Sequence, residues 1–196
     1  MRTYSMTDTI KLFKEREIDL FTLDDFGRLL DIKNQNTIYK KIQRLEKKAI
    51  VRKLIKGKYW FSLNRFNDFK TANFLFQPSY ISLESALSFY GIITGFTYKI
   101  TSLTTNKPRS FIFDEKDFFY SHINPNFFWG YEKKEDFLIA EKEKALLDFL
   151  YFHTKGLRTF DKEEMDFSEI DSKKLIIYGK KFKNNKLLKI INEEIL

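Results

Sequence analysis

The strongest constraint on the fold is the spacing of apolar residues that begins at position 38. In a helix, with about 100° of rotation per residue, apolar residues spaced in this way lie in one narrow stripe, and Asn34 is placed to cap the start of that helix. The stripe advances in steps of four, three and four residues: Ile38, Ile42, Leu45 and Ala49. The β-prone runs IVRKLI and YWFSL follow at once and flank Gly57, a pattern typical of a β-hairpin. The sequence therefore predicts a helix that leads directly into a hairpin.

Two more helices are predicted upstream of this pair. Residues 6–16 place Met6, Ile10 and Phe13 on one face. The next helix begins in FTLDDFGRLL, where Thr22 caps it, Asp25 suits the positive helix end and Phe21 packs on Phe26 across the cap. Three helices followed by a hairpin is the order of a winged helix-turn-helix. We predict such a domain for residues 1–70, within an α+β protein.

Positive charge is concentrated in the same segment. Between residues 33 and 63, ten Lys or Arg residues stand against one acid, Glu46, a net charge of +9, while the whole chain has +8. An AT-rich genome would raise the lysine content evenly along the chain and would not localise it. The overall positive charge suggests an anionic partner such as nucleic acid or a membrane surface, and its concentration in the predicted winged helix-turn-helix favours double-stranded DNA. The alternative is a solvated, lysine-rich helix in a small helical domain.

The DNA-contacting residues are predicted on the helix face opposite the apolar stripe. Amide, hydroxyl and ammonium groups can bond to base edges, and the candidates for this role are Asn36, Thr37, Lys40 and Gln43. The candidates for contacts to the DNA backbone are Tyr39, Lys41, Arg44, Lys56 and Lys58. Asn34 and Lys47 complete the predicted interface. Ile42 and Leu45 are expected in the core.

Residues 71–196 are predicted to form a mixed α/β domain, with the break between Thr71 and Pro78. YISLESALSFYG predicts a strand end, a helix capped by Ser82 and a stop at Gly91. FTYKITSL, RSFIF and FLIA predict strands, and HINPNFFWGY predicts an aromatic loop. The helix EKEKALLDFLYF should bury one side, formed by Ala145, Leu146, Phe149 and Leu150. Two further helices are expected at 172–182 and 185–195.

Catalytic and metal chemistry is not predicted. The chain has no Cys, which excludes thiolate metal sites and a thiol nucleophile, and its two His, His122 and His153, are expected to be surface or packed residues rather than metal ligands. It also lacks a glycine-rich phosphate loop and the Gly-Ser and Asp-x-Asp elements of nucleotidyltransferases. We therefore expect a protein that is not an enzyme and uses no cofactor. Without an apolar leader or a membrane-length apolar stretch, the expected location is the cytoplasm, with no membrane partner.

Three stretches carry a resemblance to a known family: PSYISLESALSFYG (78–91), TSLTTNKPRSF (101–111) and IAEKEKALLDFLY (139–151). Together they resemble the AbiEi antitoxin family, whose members join an N-terminal winged helix to such a C-terminal domain. The order and spacing agree over nearly the whole chain. Lys142 departs from the pattern, because many relatives have proline there.

The resemblance implies an antitoxin of a type IV toxin–antitoxin system. Such a protein represses its own operon by binding operator DNA, and its second domain counteracts a nucleotidyltransferase-like toxin encoded beside it, with no direct complex required. The positions that match the family's motifs are Ser82, Ser85, Tyr90, Lys107, Arg109, Glu143, Lys144 and Asp148. Each also has a plain structural interpretation as a cap, a turn residue or a helix-surface ion pair, as for Lys144 with Asp148 at i, i+4.

Two other functions stay open at this point. One is a stand-alone winged-helix regulator whose second domain senses a ligand or a protein. The other is an RNA- or DNA-processing enzyme that docks through its winged helix, which the missing catalytic constellation disfavours.

Overall fold

A computed structural model describes residues 4–94 and 98–195. The chain is a mixed α+β protein that divides into two compact units, Met1–Leu75 and Phe76–Leu196. The predicted boundary after residue 70 falls inside helix α4 (Asp68–Leu75), which is continuous, so the first unit extends to the end of that helix. Among the helices of the described residues, none combines the length and the apolar character needed to cross a bilayer.

Over residues 4–75, the first unit contains four helices and a three-stranded antiparallel sheet. Its helices are α1 (Met6–Glu15), α2 (Leu23–Leu29), α3 (Gln35–Lys47) and α4. Its strands are β1 (Leu20–Thr22), β2 (Val51–Ile55) and β3 (Lys58–Phe61), in the order β1-β3-β2. The predicted helices and the β2–β3 hairpin are confirmed. Strand β1 was missed because its three residues run straight into the cap of α2.

Local side-chain chemistry fixes the starts of α2 and α3. Thr22 Oγ1 accepts a hydrogen bond from the Asp25 N–H at 3.1 Å, and Asp25 Oδ2 accepts one from the Thr22 N–H at 2.9 Å. Phe21 packs on Phe26 with their ring centroids 5.7 Å apart. Asn34 Oδ1 accepts from the Thr37 N–H at 3.1 Å and so caps α3. All three features are confirmed.

The core of the first unit is largely aromatic. Phe13 contacts Phe21 and Phe61 with centroid distances of 5.0 and 5.1 Å. The stripe of α3 closes this core, since Ile38, Ile42 and Leu45 are buried as predicted. Ala49 is an exception. Helix α3 ends at Lys47, and Ala49 is exposed with a φ of 55°, so the expectation that it continues the stripe is wrong.

The second unit is built on a six-stranded mixed sheet in the order β6-β7-β5-β4-β9-β8. Its strands are β4 (Ser79–Ile81), β5 (Lys99–Thr104), β6 (Arg109–Phe113), β7 (Lys116–His122), β8 (Tyr131–Lys134) and β9 (Phe137–Ala140). β5 pairs with β7 and β4 with β9 in parallel, and the other neighbours are antiparallel. β7 and β8 were not predicted. The start of the predicted strand FTYKITSL includes residues outside those described.

The described residues of the second unit also form four α-helices: α5 (Glu84–Phe89), α6 (Lys142–Thr154), α7 (Ser172–Lys181) and α8 (Asn185–Ile190). Short 3₁₀ turns cover Pro125–Phe127 and Lys162–Glu164, and a π-helical turn, Ile191–Ile195, follows α8. The two C-terminal helices are confirmed. Every residue of α6 from Glu143 to Phe152 is buried, whereas the sequence predicted one buried side.

Helix α5 begins differently from the prediction. Its N-cap position is Leu83, with a φ of 57° and no side-chain cap, so Ser82 does not cap the helix. Ser82 instead points its hydroxyl at a carboxylate on α6, described below. The helix end is as predicted, because Gly91 follows the last turn with a φ of 72°.

Candidate functional site

The first candidate site is the exposed face of α3. While the stripe of this helix is buried, its opposite side carries a row of exposed polar residues: Asn36, Thr37, Lys40, Gln43 and Lys47. No residue of this row is acidic, and Glu46, the single acid of α3, lies off it and is half-buried. A helix of this length spans about 20 Å and can lie in the major groove of DNA. The face is therefore cationic, rich in hydrogen-bond donors and open to solvent.

Three residues that flank this row differ in their availability to a partner. Tyr39 is 42% exposed, and Arg44 is exposed as well, so both can meet a polyanion. Lys41 is half-buried, and its Nζ donates to the Tyr4 carbonyl oxygen at 2.6 Å. Lys41 thus ties α3 to the segment before α1, which removes part of its capacity for the predicted DNA-backbone contact.

The turn of the β2–β3 hairpin is flanked by one exposed lysine and one lysine that is engaged in hydrogen bonds. Gly57 closes the turn with a φ of 79°, and Lys56 beside it is exposed. Lys58 is instead the first residue of β3, and its Nζ donates to the carbonyl oxygens of Phe74 and Leu75 at 2.5 and 3.1 Å. Burial lowers the pKa of Lys58. The placement predicted for Lys58, at the tip against phosphates, is corrected: it holds the carbonyl end of α4.

Several cations near α3 contribute to the positive charge of residues 33–63 but lie outside the predicted DNA interface. Lys33 and Lys48 are exposed at the two ends of α3, and Lys53 is exposed on β2. Arg52 is half-buried, with its guanidinium carbon 5.8 Å from the centre of the Trp60 ring. Strict alternation from the buried Val51 would have placed Lys53 on the inner face, but the register of β2 shifts between Lys53 and Ile55, so no simple sequence signal marks Lys53 as exposed.

The second candidate site is a polar cluster inside the second unit. Lys144 and Asp148 lie one turn apart on α6 and form an ion pair in which both side chains are fully buried. Asp148 Oδ2 accepts hydrogen bonds from the Tyr80 hydroxyl at 3.0 Å and from Ser82 Oγ at 2.9 Å. Lys144 Nζ also donates to the Tyr80 hydroxyl oxygen at 3.0 Å. The interpretation of this pair as a helix-surface ion pair is wrong.

Aromatic rings enclose the ammonium of Lys144. Its Nζ lies 5.3, 5.1 and 5.3 Å from the ring centres of Tyr80, Trp129 and Phe182. Burial lowers the pKa of Lys144 and raises the pKa of Asp148, so the pair depends on its mutual attraction and on the two hydroxyl donors. Because the pair is inaccessible to a substrate, its role is to join β4 to α6.

Three other residues matching the family motifs also serve internal contacts. Ser85 Oγ accepts from the Thr101 N–H at 2.8 Å, and the Tyr90 hydroxyl donates to the Ala140 carbonyl oxygen at 2.8 Å. Burial raises the pKa of Tyr90. Glu143 is buried and forms an ion pair with Lys174 at 2.9 Å.

Lys107 and Arg109 are the motif residues that lie in solvent. The guanidinium carbon of Arg109 lies 5.9 and 5.1 Å from the ring centres of Phe76 and Phe111. This packing leaves the side chain exposed. The residues that matched the family's motifs thus do not form one site: three share the buried cluster, three make separate internal contacts and two face the solvent.

Comparison with models of known protein families finds no match for this chain, and comparison with curated proteins finds none either. The resemblance to AbiEi antitoxins therefore rests on the quoted sequence stretches. Within the described parts of the chain, 4–94 and 98–195, no group of three His, Cys, Asp or Glu side chains is placed to hold a metal ion.

Proposed function

We propose that the first unit is a winged helix-turn-helix that binds double-stranded DNA and that the protein is a transcriptional repressor. The observation that carries this proposal is the exposed, acid-free row on α3, opposite a buried stripe of the same helix. The β1-β3-β2 sheet and the exposed Lys56 at the hairpin tip support it, because a wing presents a cation to phosphates beside the groove.

In this proposal the residues of the α3 row have two roles, base recognition and phosphate binding, which follow from their side-chain chemistry. Asn36 and Gln43 have amide groups that both donate and accept, which matches the edge of adenine in the major groove. Lys40 and Lys47 add positive charge, which fixes the helix against phosphates and supplies affinity independent of sequence. Sequence preference then comes mainly from the amides, and salt-sensitive affinity from the lysines.

Substitution of the amides tests this division. We expect Asn36→Ala or Gln43→Ala in the full chain to reduce the difference in binding free energy between operator DNA and random DNA by roughly 1–3 kcal/mol, with the fold unchanged. The measurement is fluorescence anisotropy with both duplexes. Asn126→Ala, which removes an exposed amide from the second unit, is the matched control and should leave the difference unchanged.

Ile42→Ala should instead cost on the order of 2–5 kcal/mol of stability as a core truncation. If this variant keeps its stability and loses only its preference for operator DNA, then α3 presents a different face to the DNA.

The second part of the proposal follows from the family resemblance. The protein represses its own operon and acts as an antitoxin, and its second unit counteracts a nucleotidyltransferase-like toxin with no stable complex required. Two of the three resembling stretches supply the buried cluster, through Tyr80 and Ser82 on one side and Lys144 and Asp148 on the other. This supports a shared scaffold, from which Lys107 and Arg109 reach solvent.

The antitoxin role can be separated from DNA binding in the full chain. We expect Lys40→Glu combined with Lys47→Glu to abolish operator binding, because the charge of the α3 row is reversed. The same variant should still restore growth to cells that express the toxin encoded beside this gene. Loss of protection by this variant, when it is folded and present at the wild-type level, would contradict the separation of the two roles.

A ligand-sensing regulator is the second candidate, and one observation favours it. The second unit has a cavity of about 510 Å³, within the size range of small-molecule sites. Its lining combines two cations, one acid, two hydroxyls and one aromatic ring: Lys99, Arg158, Glu84, Thr101, Ser121 and Phe119. Glu84 and Arg158 form an ion pair with each other. A neighbouring gene for a nucleotidyltransferase-like protein distinguishes the antitoxin from this alternative.

A further inference from the structure

The two edge strands of the six-stranded sheet differ in charge. β8 carries Glu132, Lys133 and Lys134 among its four residues, and charged side chains of this kind discourage an edge strand from pairing with another chain. β6 begins with Arg109 and continues as Ser-Phe-Ile-Phe, with no further charge. Of the two edges, only β8 has the usual protection, and β6 is the edge suited to pairing.

Strand β6 also directs backbone groups outward. It forms a hairpin with β7 through the two-residue turn Asp114–Glu115, in which both residues have positive φ, 53° and 64°. In such a hairpin the residues flanking the turn form a hydrogen-bonded pair and the pattern then alternates. Ser110 and Ile112 therefore direct their N–H and C=O groups away from β7. No strand among the described residues pairs with this outer side.

The side chain of Ile112 also makes β6 suited to pairing with another strand. It is 74% exposed on an edge strand, whereas most isoleucines are buried. The residue directly opposite it on β7 is Asp117, so no apolar side chain faces the exposed isoleucine in the register. An apolar side chain and outward backbone groups at one position are what strand addition uses.

The charges at the ends of β6 indicate the partner. Lys107 and Arg109 lie at its N-terminal end, and Asp114 and Glu115 follow its C-terminal end. When two copies of this strand pair antiparallel, the basic end of one lies beside the acidic end of the other. A parallel pairing would place like charges together. The strand is therefore electrostatically complementary to itself in one orientation.

We propose that β6 pairs antiparallel with β6 of a second copy of this chain, forming a two-fold symmetric dimer with one continuous sheet. The two-fold axis passes beside Phe111, so that Ser110 of each copy lies opposite Ile112 of the other and exchanges both backbone hydrogen bonds with it. Lys107 of each copy then lies near Glu115 of the other. The interface is one short strand on each side, which corresponds to a weak, concentration-dependent dimer.

The oligomeric state of the full chain in the absence of DNA tests this proposal. Sedimentation equilibrium from low micromolar to several hundred micromolar protein should give a monomer–dimer equilibrium for the wild type. Ile112→Lys places two like charges beside the axis and should weaken the dimer at least about tenfold. Ile177→Lys, at an isoleucine that is 59% exposed on α7, should have no effect. A wild type that stays monomeric throughout, or a dimer unaffected by Ile112→Lys, would overturn the proposal.

Charge reversal tests the antiparallel register. Lys107→Glu and Glu115→Lys should each weaken the dimer, and the two together should restore it, because each changed residue meets the other change in the second copy. Lys133→Glu and Glu135→Lys are the controls at the β8 edge, where both residues are exposed and Glu135 lies in the turn between β8 and β9. Failure of the double variant to recover dimerisation contradicts this register. Since DNA is absent, this result does not depend on the proposed function.

Discussion

Replacing Asp148 with alanine is expected to destabilise the second unit by about 3–5 kcal/mol, because it leaves the ammonium of Lys144 buried without its counter-charge. Tyr80 and Ser82 lose the acceptor of their hydroxyl groups at the same time. The free energy of unfolding, obtained from urea titration followed by circular dichroism, measures the loss. The two tryptophans lie in different units, so fluorescence should be recorded as well in a Trp60→Phe background, where Trp129 alone reports the second unit.

Two further variants distinguish the cost of an unpaired buried charge from a nonspecific loss of stability. Lys144→Met combined with Asp148→Leu should cost less than Asp148→Ala alone, since the double variant leaves no unpaired charge in the core. Glu163→Ala removes an exposed acid of the same unit and should change stability by less than about 0.5 kcal/mol. If Asp148→Ala costs no more than Glu163→Ala, the ion pair does not hold β4 and α6 together.

The affinity of the full chain for DNA is expected to fall steeply with salt. If the α3 row and the hairpin neutralise six to ten phosphates, affinity should drop by roughly 10³ to 10⁵ between 50 and 200 mM salt, with a slope of about −0.9 per phosphate on logarithmic axes. Fluorescence anisotropy at four or five salt concentrations measures the slope. Affinity that is independent of salt would contradict phosphate binding by these cations.

Substitutions of Lys56 and Lys58, the two lysines that flank Gly57, should have different effects on this slope. Lys56→Ala should reduce the slope by about one, with sequence preference retained, because the exposed ammonium is free to meet one phosphate. Lys58→Ala should leave the slope unchanged and lower stability, because its ammonium binds the carbonyl oxygens of Phe74 and Leu75. Equal effects of the two substitutions on the slope would show that Lys58 leaves α4 when DNA binds.

Features set by neighbouring residues could be predicted from the sequence. Thr22 and Asp25 are three residues apart, as are Asn34 and Thr37, so their caps follow from local geometry. The buried stripe and exposed row of α3 follow from helical periodicity in the same way. Ala49 fits that periodicity but lies beyond the last turn, and periodicity alone does not mark where a helix ends.

Features that depend on distant residues could not be predicted. The i, i+4 spacing identified Lys144 and Asp148 as a pair, but their burial depends on Tyr80 and Phe182, which are far away in the chain. The role of Lys58 likewise depends on the end of α4. A lysine followed by aromatic residues looks the same in sequence whether it is solvated at a hairpin tip or bound to carbonyl oxygens.

The most direct test of the central claim is the change in backbone amide chemical shifts when the full chain binds DNA from upstream of its own gene. If α3 lies in the major groove, the largest changes should be at Asn36, Lys40, Gln43 and Lys47, with a second group at the hairpin around Lys56. A shuffled duplex should give smaller changes at the same positions. Changes confined to residues 76–196, with α3 unaffected at low salt, would contradict the claim that this helix binds DNA.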